Sequence, residues 1–283
     1  MNSKFPSETT AIAKEYYDSK DADNFYSAVW GGENIHIGMY NDNCTTIKDA
    51  SSNTIRYFYE LIRNRLPCRN LNIADLGSGY GGVSRFLCRN LNASISAINI
   101  SEVENKRHKQ LNTALELENN ISVFLADFEN IPLTSGSQDL AWCQDALLHS
   151  NNKKAFFHEV SRILKDDSYL LLADIIRSDH VLDSDIQEIR DRISLDSMGS
   201  FSSYLNLAND SNLELLHWED HTDHLIRHYS EVLNKLLEME EVLLTNISQK
   251  YITNMAKGLQ LWINGGKQRK IRWGVFLFQK HSN

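Results

Sequence analysis

The sequence predicts an α/β fold built around a parallel β-sheet, and three observations lead to this prediction. Short apolar runs alternate with segments of helical periodicity between residues 71 and 176. A glycine-rich turn over residues 77–82 directly follows the first of these runs. Polar side chains recur where the later runs end. Strands separated by helices form parallel sheets with right-handed crossovers, and ligands bind at the carboxyl ends of such strands.

Apolar periodicity and helix breakers set the order of the elements. A helix rich in tyrosine and acid is predicted over 8–28, and a second helix over 47–66 ends at Pro67, because the residue before a proline disfavours helical backbone. The alternating region comprises strands 71–76, 94–100, 121–125, 138–143 and 168–176, with helices 81–91, 102–118 and 153–164. Beyond it the pattern predicts helices 183–195 and 201–210, strand 213–219, a helical stretch over about 225–264 and strand 271–278.

Composition narrows the classes of function. The 283 residues are 42% apolar and 23% charged, as in an ordinary globular protein, and the net charge of −8 argues against a nucleic-acid or anionic-membrane surface. The four cysteines form no C-x-x-C pair, which fits a reducing compartment. No signal segment or run of membrane-spanning length is visible. We therefore expect a cytoplasmic protein that binds neither nucleic acid nor membrane, with monomer and homodimer both open.

The most informative motif is Ile-Ala-Asp-Leu-Gly-Ser-Gly-Tyr-Gly-Gly at residues 73–82. Gly77 and Gly79 would let backbone approach a ligand where a Cβ would clash. The spacing of Gly77, Gly79 and Gly82 fits the dinucleotide fingerprint, but Asp75 would repel a pyrophosphate and favours a cationic ligand group. The motif resembles the first motif of S-adenosylmethionine (SAM)-dependent methyltransferases. The resemblance implies SAM as cofactor, with Asp75, Gly77, Ser78 and Gly79 in its site.

The ends of the second and third strands extend the predicted cofactor site. The second strand ends at Asn99, followed by Ile100 and Ser101. An amide at this position can hydrogen-bond ribose hydroxyls, although without the charge-assisted bond that an acid would make. After the third strand, Asp127 and Phe128 resemble the adenine contact of methyltransferases. An ordinary strand-end cap is the alternative role for Asp127.

The segment Gln-Asp-Ala-Leu-Leu-His follows the fourth strand at residues 144–149. In methyltransferases this position lies under the methionine part of SAM and the reactive methyl, so Gln144 joins the predicted cofactor contacts. A plain helix cap is the alternative for this segment, because Asp145 suits that position.

Segments along nearly the whole chain resemble sarcosine/dimethylglycine N-methyltransferases, which make glycine betaine. They are Tyr-Tyr-Asp-Ser-Lys-Asp-Ala-Asp-Asn-Phe-Tyr (16–26), Trp-Gly-Gly-Glu-Asn-Ile-His-Ile-Gly (30–38), Asn-Ile-Ser-Glu-Val-Glu-Asn (99–105), Gln-Asp-Ala-Leu-Leu-His-Ser (144–150), Leu-Asp-Ser-Met-Gly-Ser (195–200), Glu-Asp-His-Thr (219–222), Arg-His-Tyr (227–229) and Gly-Leu-Gln-Leu-Trp-Ile-Asn-Gly-Gly (258–266). The resemblance implies conversion of sarcosine to dimethylglycine and of dimethylglycine to betaine, with a small amino acid as substrate.

The resemblance also implies an architecture. We expect a Rossmann-like class I methyltransferase fold whose seven-stranded, mostly parallel sheet has an antiparallel last strand. The whole chain, 1–283, would be one domain. Residues 1–46 would supply a lid and active-site helix, and residues 221–265 a helical cap over the substrate.

Methyl transfer to a small amino acid needs a carboxylate site, an unprotonated amine and a pocket that tolerates a quaternary ammonium. His149 or a tyrosine of the first helix can take the amine proton. Related phosphobase methyltransferases pair an N-terminal tyrosine with the histidine of a D-A-x-L-H segment, so the resemblance points to Tyr17 and His149 as the catalytic pair. Aromatic faces suit a methylated ammonium, and Arg177 or Arg227 would bind the carboxylate. The predicted substrate-binding residues are Tyr26, His36, Asp145, Arg177, Arg227 and Tyr229.

Other functions stay open at this point. A quinol, tocopherol or sterol C-methyltransferase shares the fold but needs a large apolar pocket. A phosphoethanolamine N-methyltransferase shares the D-A-x-L-H segment but needs a basic cluster for phosphate. A SAM-binding protein without catalysis would not need the 144–149 segment. The histidines at 217–228 are not part of a recognisable metal signature, so no metal site is predicted.

Overall fold

A computed structural model describes residues 18–30, 32–68 and 70–282. Its strands are β1 Leu71–Leu76, β2 Ala93–Asn99, β3 Ile121–Leu125, β4 Gln138–Gln144, β5 Leu164–Arg177, β6 Leu213–Asp220 and β7 Ile271–Lys280. Its helices are α1 Lys20–Phe25, α2 Ile47–Ile62, α3 Gly82–Asn90, α4 Glu102–Ala114, α5 Lys153–Ile163, α6 Gln187–Arg192, α7 Phe201–Asn209, α8 Thr222–Glu238, α9 Glu240–Leu243 and α10 Gln249–Lys267. Short turns of other helical types cover Tyr26–Trp30, Arg63–Arg65, Leu147–His149 and Asp183–Ile186.

The strands form one seven-stranded sheet in the order β3-β2-β1-β4-β5-β7-β6. The first five strands pair in parallel, and β7 runs antiparallel to both β5 and β6. The predicted mostly parallel sheet with an antiparallel last strand is therefore confirmed. The order reverses between β1 and β4, which is where ligands bind in open sheets of this kind.

The central strands are apolar on both faces because helices cover both sides of the sheet. All seven residues of β4 are buried, and so are Ile73, Ala74 and Leu76 of β1. On one face α2 contributes its apolar stripe, with Phe58 fully buried. This double burial fixes the register of the strands and thereby the positions of their carboxyl ends.

Several boundaries differ from the sequence-based expectation. The strand predicted over 168–176 begins at Leu164, because α5 passes into β5 without a loop. The helix predicted over 102–118 ends at Ala114, and Glu116 adopts a left-handed backbone conformation. The helical stretch predicted over 225–264 is three helices, α8 to α10. Of the helix predicted over 8–28, residues 8–17 lie outside the described part of the chain, and its end winds into a π-helical turn over Tyr26–Trp30.

A buried polar network joins β5 to α7 and to the short turn Leu147–His149. The Asp174 carboxylate is fully buried and accepts hydrogen bonds from the Tyr204 hydroxyl at 2.5 Å and the Leu148 amide at 3.2 Å. Burial raises the pKa of Asp174 to about 7, although these hydrogen bonds and the Lys153 charge oppose the shift. The acid is therefore neutral in the folded protein at a pH where it would be ionised in the unfolded chain.

This raised pKa predicts a pH-dependent effect of Asp174→Asn. The stability that the neutral acid contributes is present below its unfolded pKa and is lost as pH rises through about 7. Asparagine stays neutral, so we expect the variant to gain stability relative to the wild type by about 1–4 kcal/mol between roughly pH 5 and pH 8. Thermal unfolding at both pH values measures this difference. A stability difference between variant and wild type that does not change with pH would contradict the raised pKa of Asp174.

Candidate functional site

Four strand ends meet at one rim of the sheet, as the sequence predicts. Leu76 pairs with Ile98 and with Cys143, and Asn99 pairs with Leu125. The segments that follow β1, β2, β3 and β4 therefore begin side by side. This rim carries the glycine turn on one side of the switch in strand order and the 144–149 segment on the other.

The glycine turn is shaped by the protein's own packing. Gly77 has a φ of +75°, and a Cβ there would overlap the Ala146 Cβ. Gly79 has a φ of +48°, but a Cβ there would lie 3.5 Å from the Ile35 side chain, an ordinary contact. Gly77 thus makes room for the 144–149 segment, and its place beside a ligand stays a prediction. A bulky residue at 77 would misplace that segment as well as any ligand.

Asp75 is buried at the end of β1 and accepts a hydrogen bond from the Ser84 hydroxyl at 2.5 Å. Burial raises its pKa to about 6, while the Ser84 bonds and the Arg85 charge oppose this shift. The carboxyl group holds the start of α3 against the strand end. Ser78, which follows Gly77, is buried too, and its hydroxyl has no hydrogen-bond partner among the described residues.

Asn99 is engaged with a second polar residue that the sequence reasoning missed. Its side-chain NH2 group donates to the Glu104 carboxylate at 2.8 Å, and its side-chain oxygen accepts from the Ile100 amide at 3.0 Å. Glu104 is buried, and its other carboxylate oxygen has no hydrogen-bond partner within the described ranges. Burial raises the pKa of Glu104 to about 7. Ser101 caps α4, and its hydroxyl donates to Asp18 in the N-terminal segment.

The remaining predicted cofactor residues lie at the ends of β3 and β4. Asp127 accepts from the Glu129 amide at 2.9 Å, the geometry of a local turn. The Phe128 ring packs edge-on against Phe156 and lies 3.9 Å from the position of a Cβ on Gly77. Gln144 is buried, and its side-chain nitrogen has no hydrogen-bond partner in the part of the chain that the structure describes.

Asp145 joins three parts of the chain at the rim. One carboxylate oxygen accepts from the Ile37 amide at 2.8 Å, and the other accepts from the Trp273 indole nitrogen at 2.7 Å. Its φ of +54° is left-handed, a conformation that aspartate tolerates better than most residues. Burial raises its pKa to about 7, against the opposing effect of both hydrogen bonds. The residue is thus more than the plain helix cap that the sequence left open.

A cavity of about 170 Å³ lies above this rim, beneath α8 and α10. Four aromatic rings line it, with centroids of neighbouring rings 5.3 to 6.1 Å apart. These rings belong to Tyr26, Trp30, Tyr229 and Trp262. The polar part of the wall includes Asp145, His149, Arg192 and Ser194. Four of the predicted site residues, Tyr26, Tyr229, Asp145 and His149, thus line the same cavity.

His149 ends the short helical turn Leu147–His149 and lines the cavity. Burial and the nearby Lys153 charge lower its pKa to about 4. The imidazole is therefore neutral at neutral pH and carries a lone pair on one nitrogen. Tyr17, the predicted partner of His149, lies outside the described residues.

Three predicted substrate-binding residues are not part of this cavity wall. Arg177 donates to the Val181 carbonyl at 2.8 Å, and Arg227 stacks on the Tyr40 ring with its guanidinium carbon 4.6 Å from the centroid. His36 is buried beside α2, where its carbonyl accepts from the Ser51 hydroxyl at 2.9 Å. The expectation that Arg177 or Arg227 binds a carboxylate in the site is corrected, because protein groups already hold each of them elsewhere.

The cavity contains an arginine that the sequence reasoning missed. Arg192 ends α6, and its guanidinium lies 3.8 Å from the Met255 sulfur of α10. A Cβ on Gly258 would lie 3.2 Å from Arg192 Cδ and Cζ and would overlap Nε. The only sequence signal was a glycine in the interior of a helix, where it is unfavourable without a packing reason.

The histidines near the cap serve as hydrogen-bonding partners. His228 Nδ1 accepts from the Gly38 amide at 3.0 Å and lies 3.1 Å from the Tyr40 hydroxyl, and His224 accepts from the Tyr40 amide at 3.2 Å. These bonds join α8 to the loop that precedes α2. Within the described ranges, no helix is long and apolar enough to cross a membrane.

Comparison with known proteins supports the fold described above. A family profile described as a methyltransferase domain matches residues 74–172. The sarcosine/dimethylglycine N-methyltransferase of Halorhodospira halochloris is 38% identical over 280 residues, which are 99% of this chain and 100% of the relative. The dimethylglycine N-methyltransferase of Parasynechococcus marenigrum (strain WH8102) is 40% identical over 270 residues, covering 95% of this chain and 96% of the relative.

A solved structure gives the same result. The crystal structure of a candidate sarcosine dimethylglycine methyltransferase from Galdieria sulphuraria superposes with a TM-score of 0.87 at 38% identity, covering 92% of this chain and 98% of that one. The fold, the rim and the matched domain define a methyltransferase with a Rossmann-like sheet. By identity over nearly its full length, the chain belongs to the sarcosine/dimethylglycine N-methyltransferase family.

Proposed function

We propose that this protein transfers methyl groups from SAM to the nitrogen of sarcosine and then of dimethylglycine, giving glycine betaine. The observation that carries the proposal is the aromatic cavity at the rim, where four rings surround a volume of about 170 Å³. Aromatic faces attract methylated ammonium groups by roughly 0.5–2 kcal/mol each. The names of the relatives supply the same substrate class independently.

The buried polar groups of the rim fit a cofactor such as SAM. Ser78, Glu104 and Gln144 are each at least nine-tenths buried, and each has one side-chain atom without a hydrogen-bond partner among the described residues. Buried polar groups are rarely left unpaired, so these atoms favour a polar ligand. We assign Gln144 and Ser78, with Asp75, Gly77 and Gly79, to the methionine side of the site. When bound there, SAM supplies an electrophilic methyl on a sulfonium.

The ribose and adenine would lie beside the ends of β2 and β3. Asn99 already bonds to Glu104, so the two residues would act together on the ribose hydroxyls, and the unpartnered Glu104 oxygen would bond to one of them. Ile100 and Phe128 supply apolar surface for the adenine ring. Asp127 would accept from its exocyclic amine. Ser101 supports this region as the cap of α4.

The chain's own residues would prepare the amine. Dimethylglycine carries a protonated amine in neutral water, and its nitrogen must lose this proton before it can attack the methyl. The neutral imidazole of His149 would accept the proton, directly or through water. The Asp145 carboxyl group and the aromatic rings would then stabilise the positive charge of the methylated product. No covalent enzyme intermediate is required, and exclusion of water would contribute to the rate.

The cavity is better suited to this substrate than to the alternatives. A quinol or tocopherol would need a larger apolar pocket, and the described wall carries Asp145, His149 and Arg192 within a small volume. A phosphobase needs several cations, whereas Arg192 is the one arginine or lysine among the described lining residues. Both features favour a small zwitterion.

We also propose that residues 1–46 act as a lid and residues 221–265 as a cap. Tyr80 and Arg107 both donate to Asp23 of α1, at 2.7 and 2.9 Å, which joins the N-terminal segment to the glycine turn. The loop that contains Ile37 is held by the hydrogen bond from the Ile37 amide to Asp145. Helices α8 and α10 supply the cavity residues Tyr229 and Trp262. Both segments would shield the reacting atoms from water.

The cofactor assignment predicts that Ser78→Ala weakens binding of S-adenosylhomocysteine about 2- to 10-fold, the effect of one lost hydrogen bond. Titration calorimetry measures the affinity. Ser122→Ala, an exposed serine on β3, is the matched control and should leave the affinity unchanged. Equal affinities for the wild type and both variants would remove Ser78 from the site.

The substrate assignment is tested by a panel of methyl acceptors. The purified protein is incubated with SAM and sarcosine, dimethylglycine, phosphoethanolamine or a lipid quinol, and the products are identified by mass spectrometry. We expect methylation of sarcosine and dimethylglycine alone. Methylation confined to the phosphobase or the quinol would overturn the proposal.

A further inference from the structure

We infer that Arg192 is the carboxylate-binding residue of the cavity, and that Gly258 of α10 opens the slot through which its guanidinium reaches the substrate. This inference rests on the proposed function, since it names how that site selects an amino acid. It replaces the sequence-based assignment to Arg177 and Arg227, which the structure locates outside the cavity wall.

The position of Arg192 supports this role. The guanidinium contacts Met255 of α10, and both residues line the cavity. Arg190, on the same short helix, is directed elsewhere. Its guanidinium group donates to the carbonyls of Asp183 and Leu195 at 3.2 and 3.3 Å. Arg190 thus holds the turn after α6, whereas the Arg192 guanidinium lies against α10.

Gly258 explains how an arginine fits between the helices. It lies in the interior of the 19-residue helix α10, where alanine would favour the helix by about 1 kcal/mol. A Cβ at this position would overlap Nε of Arg192. Two more residues of α10, Met255 and Leu259, also line the cavity. The slot therefore opens on the substrate side of α10.

The charges of the cavity match a zwitterion in one orientation. Asp145 lies at the sheet rim, where it bonds to Ile37 and Trp273, whereas Arg192 lies against α10. A substrate carboxylate would be bound by Arg192, in a bidentate geometry that arginine favours, and Asp145 has no cation to offer it. The amine would then be directed toward Asp145 and His149, where the methyl transfer is proposed to occur.

The test compares two ligands that share a trimethylammonium group, betaine with its carboxylate and choline with its hydroxyl. Calorimetric titration of the protein loaded with S-adenosylhomocysteine should show betaine binding roughly 10- to 100-fold more tightly than choline, the range for a hydrogen bond to a charged group. In Arg192→Met this preference should disappear while choline affinity is kept. Arg192→Lys should retain part of it. Lys257→Met, which removes an exposed cation from α10, should keep all of it.

Gly258→Ala provides an independent variant, because it keeps the arginine and displaces it. We expect the KM for dimethylglycine to rise about tenfold or more with kcat changed less, and the betaine preference to fall without loss of thermal stability. A wild-type preference for betaine in Arg192→Met, or an unchanged KM in Gly258→Ala, would overturn the inference. If the wild type methylates neither sarcosine nor dimethylglycine, it is the proposed function that fails, whatever these variants bind.

Discussion

Replacing His149 with alanine should lower kcat about 10²- to 10⁴-fold, the range for loss of a general base. The imidazole lines the cavity and is neutral at neutral pH, because burial and the Lys153 charge lower its pKa to about 4. Its contribution is therefore present above about pH 4 and is lost below it as the imidazole becomes protonated. Steady-state kinetics with saturating dimethylglycine and SAM measures the effect.

Two controls separate a catalytic from a structural role for His149. Affinity for S-adenosylhomocysteine should stay nearly unchanged, since the proposed cofactor contacts lie at other residues. His149→Gln, which keeps a polar side chain but no basic nitrogen, should be almost as slow as His149→Ala. Normal turnover in either variant would show that another group takes the proton.

The tyrosine partner of His149 stays a prediction from the sequence, because Tyr16 and Tyr17 lie outside the described residues. Neighbours on a helix point about 100° apart, so one of the two is expected to face the site. Tyr17→Phe should lower kcat and Tyr16→Phe should not. The reverse result would assign the role to Tyr16.

Replacing Asp145 with alanine should destabilise the protein by about 2–5 kcal/mol and also lower its activity. The change removes the acceptors of two buried donors, the Ile37 amide and the Trp273 indole, and each unsatisfied donor costs about 1–3 kcal/mol. Alanine also tolerates the left-handed backbone at this position less well than aspartate. Chemical denaturation gives the change in the free energy of unfolding.

Asp145→Asn is the matched comparison for this effect. Its side chain keeps one oxygen acceptor and a tolerance for left-handed backbone, so it should lose less stability than Asp145→Ala. Because the bond from the Ile37 amide holds the loop over the cavity, kcat/KM should fall in the same order. Equal stability of the alanine variant and the wild type would contradict the clamp that joins β4, β7 and the 35–37 loop.

The parts of the fold that could be predicted are those that local pattern determines. The strand over Leu71–Leu76 and its glycine turn were predicted at their observed bounds, because a short apolar run and a left-handed turn leave direct signals in the sequence. The start of β5 was missed, since no breaker separates α5 from Leu164. The division of the cap into three helices was missed for a similar reason, because a continuous helical period hides short turns.

The site was predictable where its residues follow strand ends. Asp145, His149 and the glycine turn meet because the register of parallel strands brings their carboxyl ends together. Arg192 was not predictable, since its position depends on how α6 packs against α10. Arg177 was a candidate from the sequence, but its guanidinium donates to the backbone carbonyl of Val181. Tertiary packing decides which of several arginines reaches a cavity.

Transfer of an isotopic label tests the central claim most directly. The protein is incubated with methyl-deuterated SAM and dimethylglycine, and betaine is analysed by mass spectrometry. A methyltransferase that acts on the amine nitrogen within this cavity yields betaine carrying the deuterated methyl, at a rate that depends on His149. Betaine without the label, or no betaine while another acceptor gains the methyl, would contradict the account.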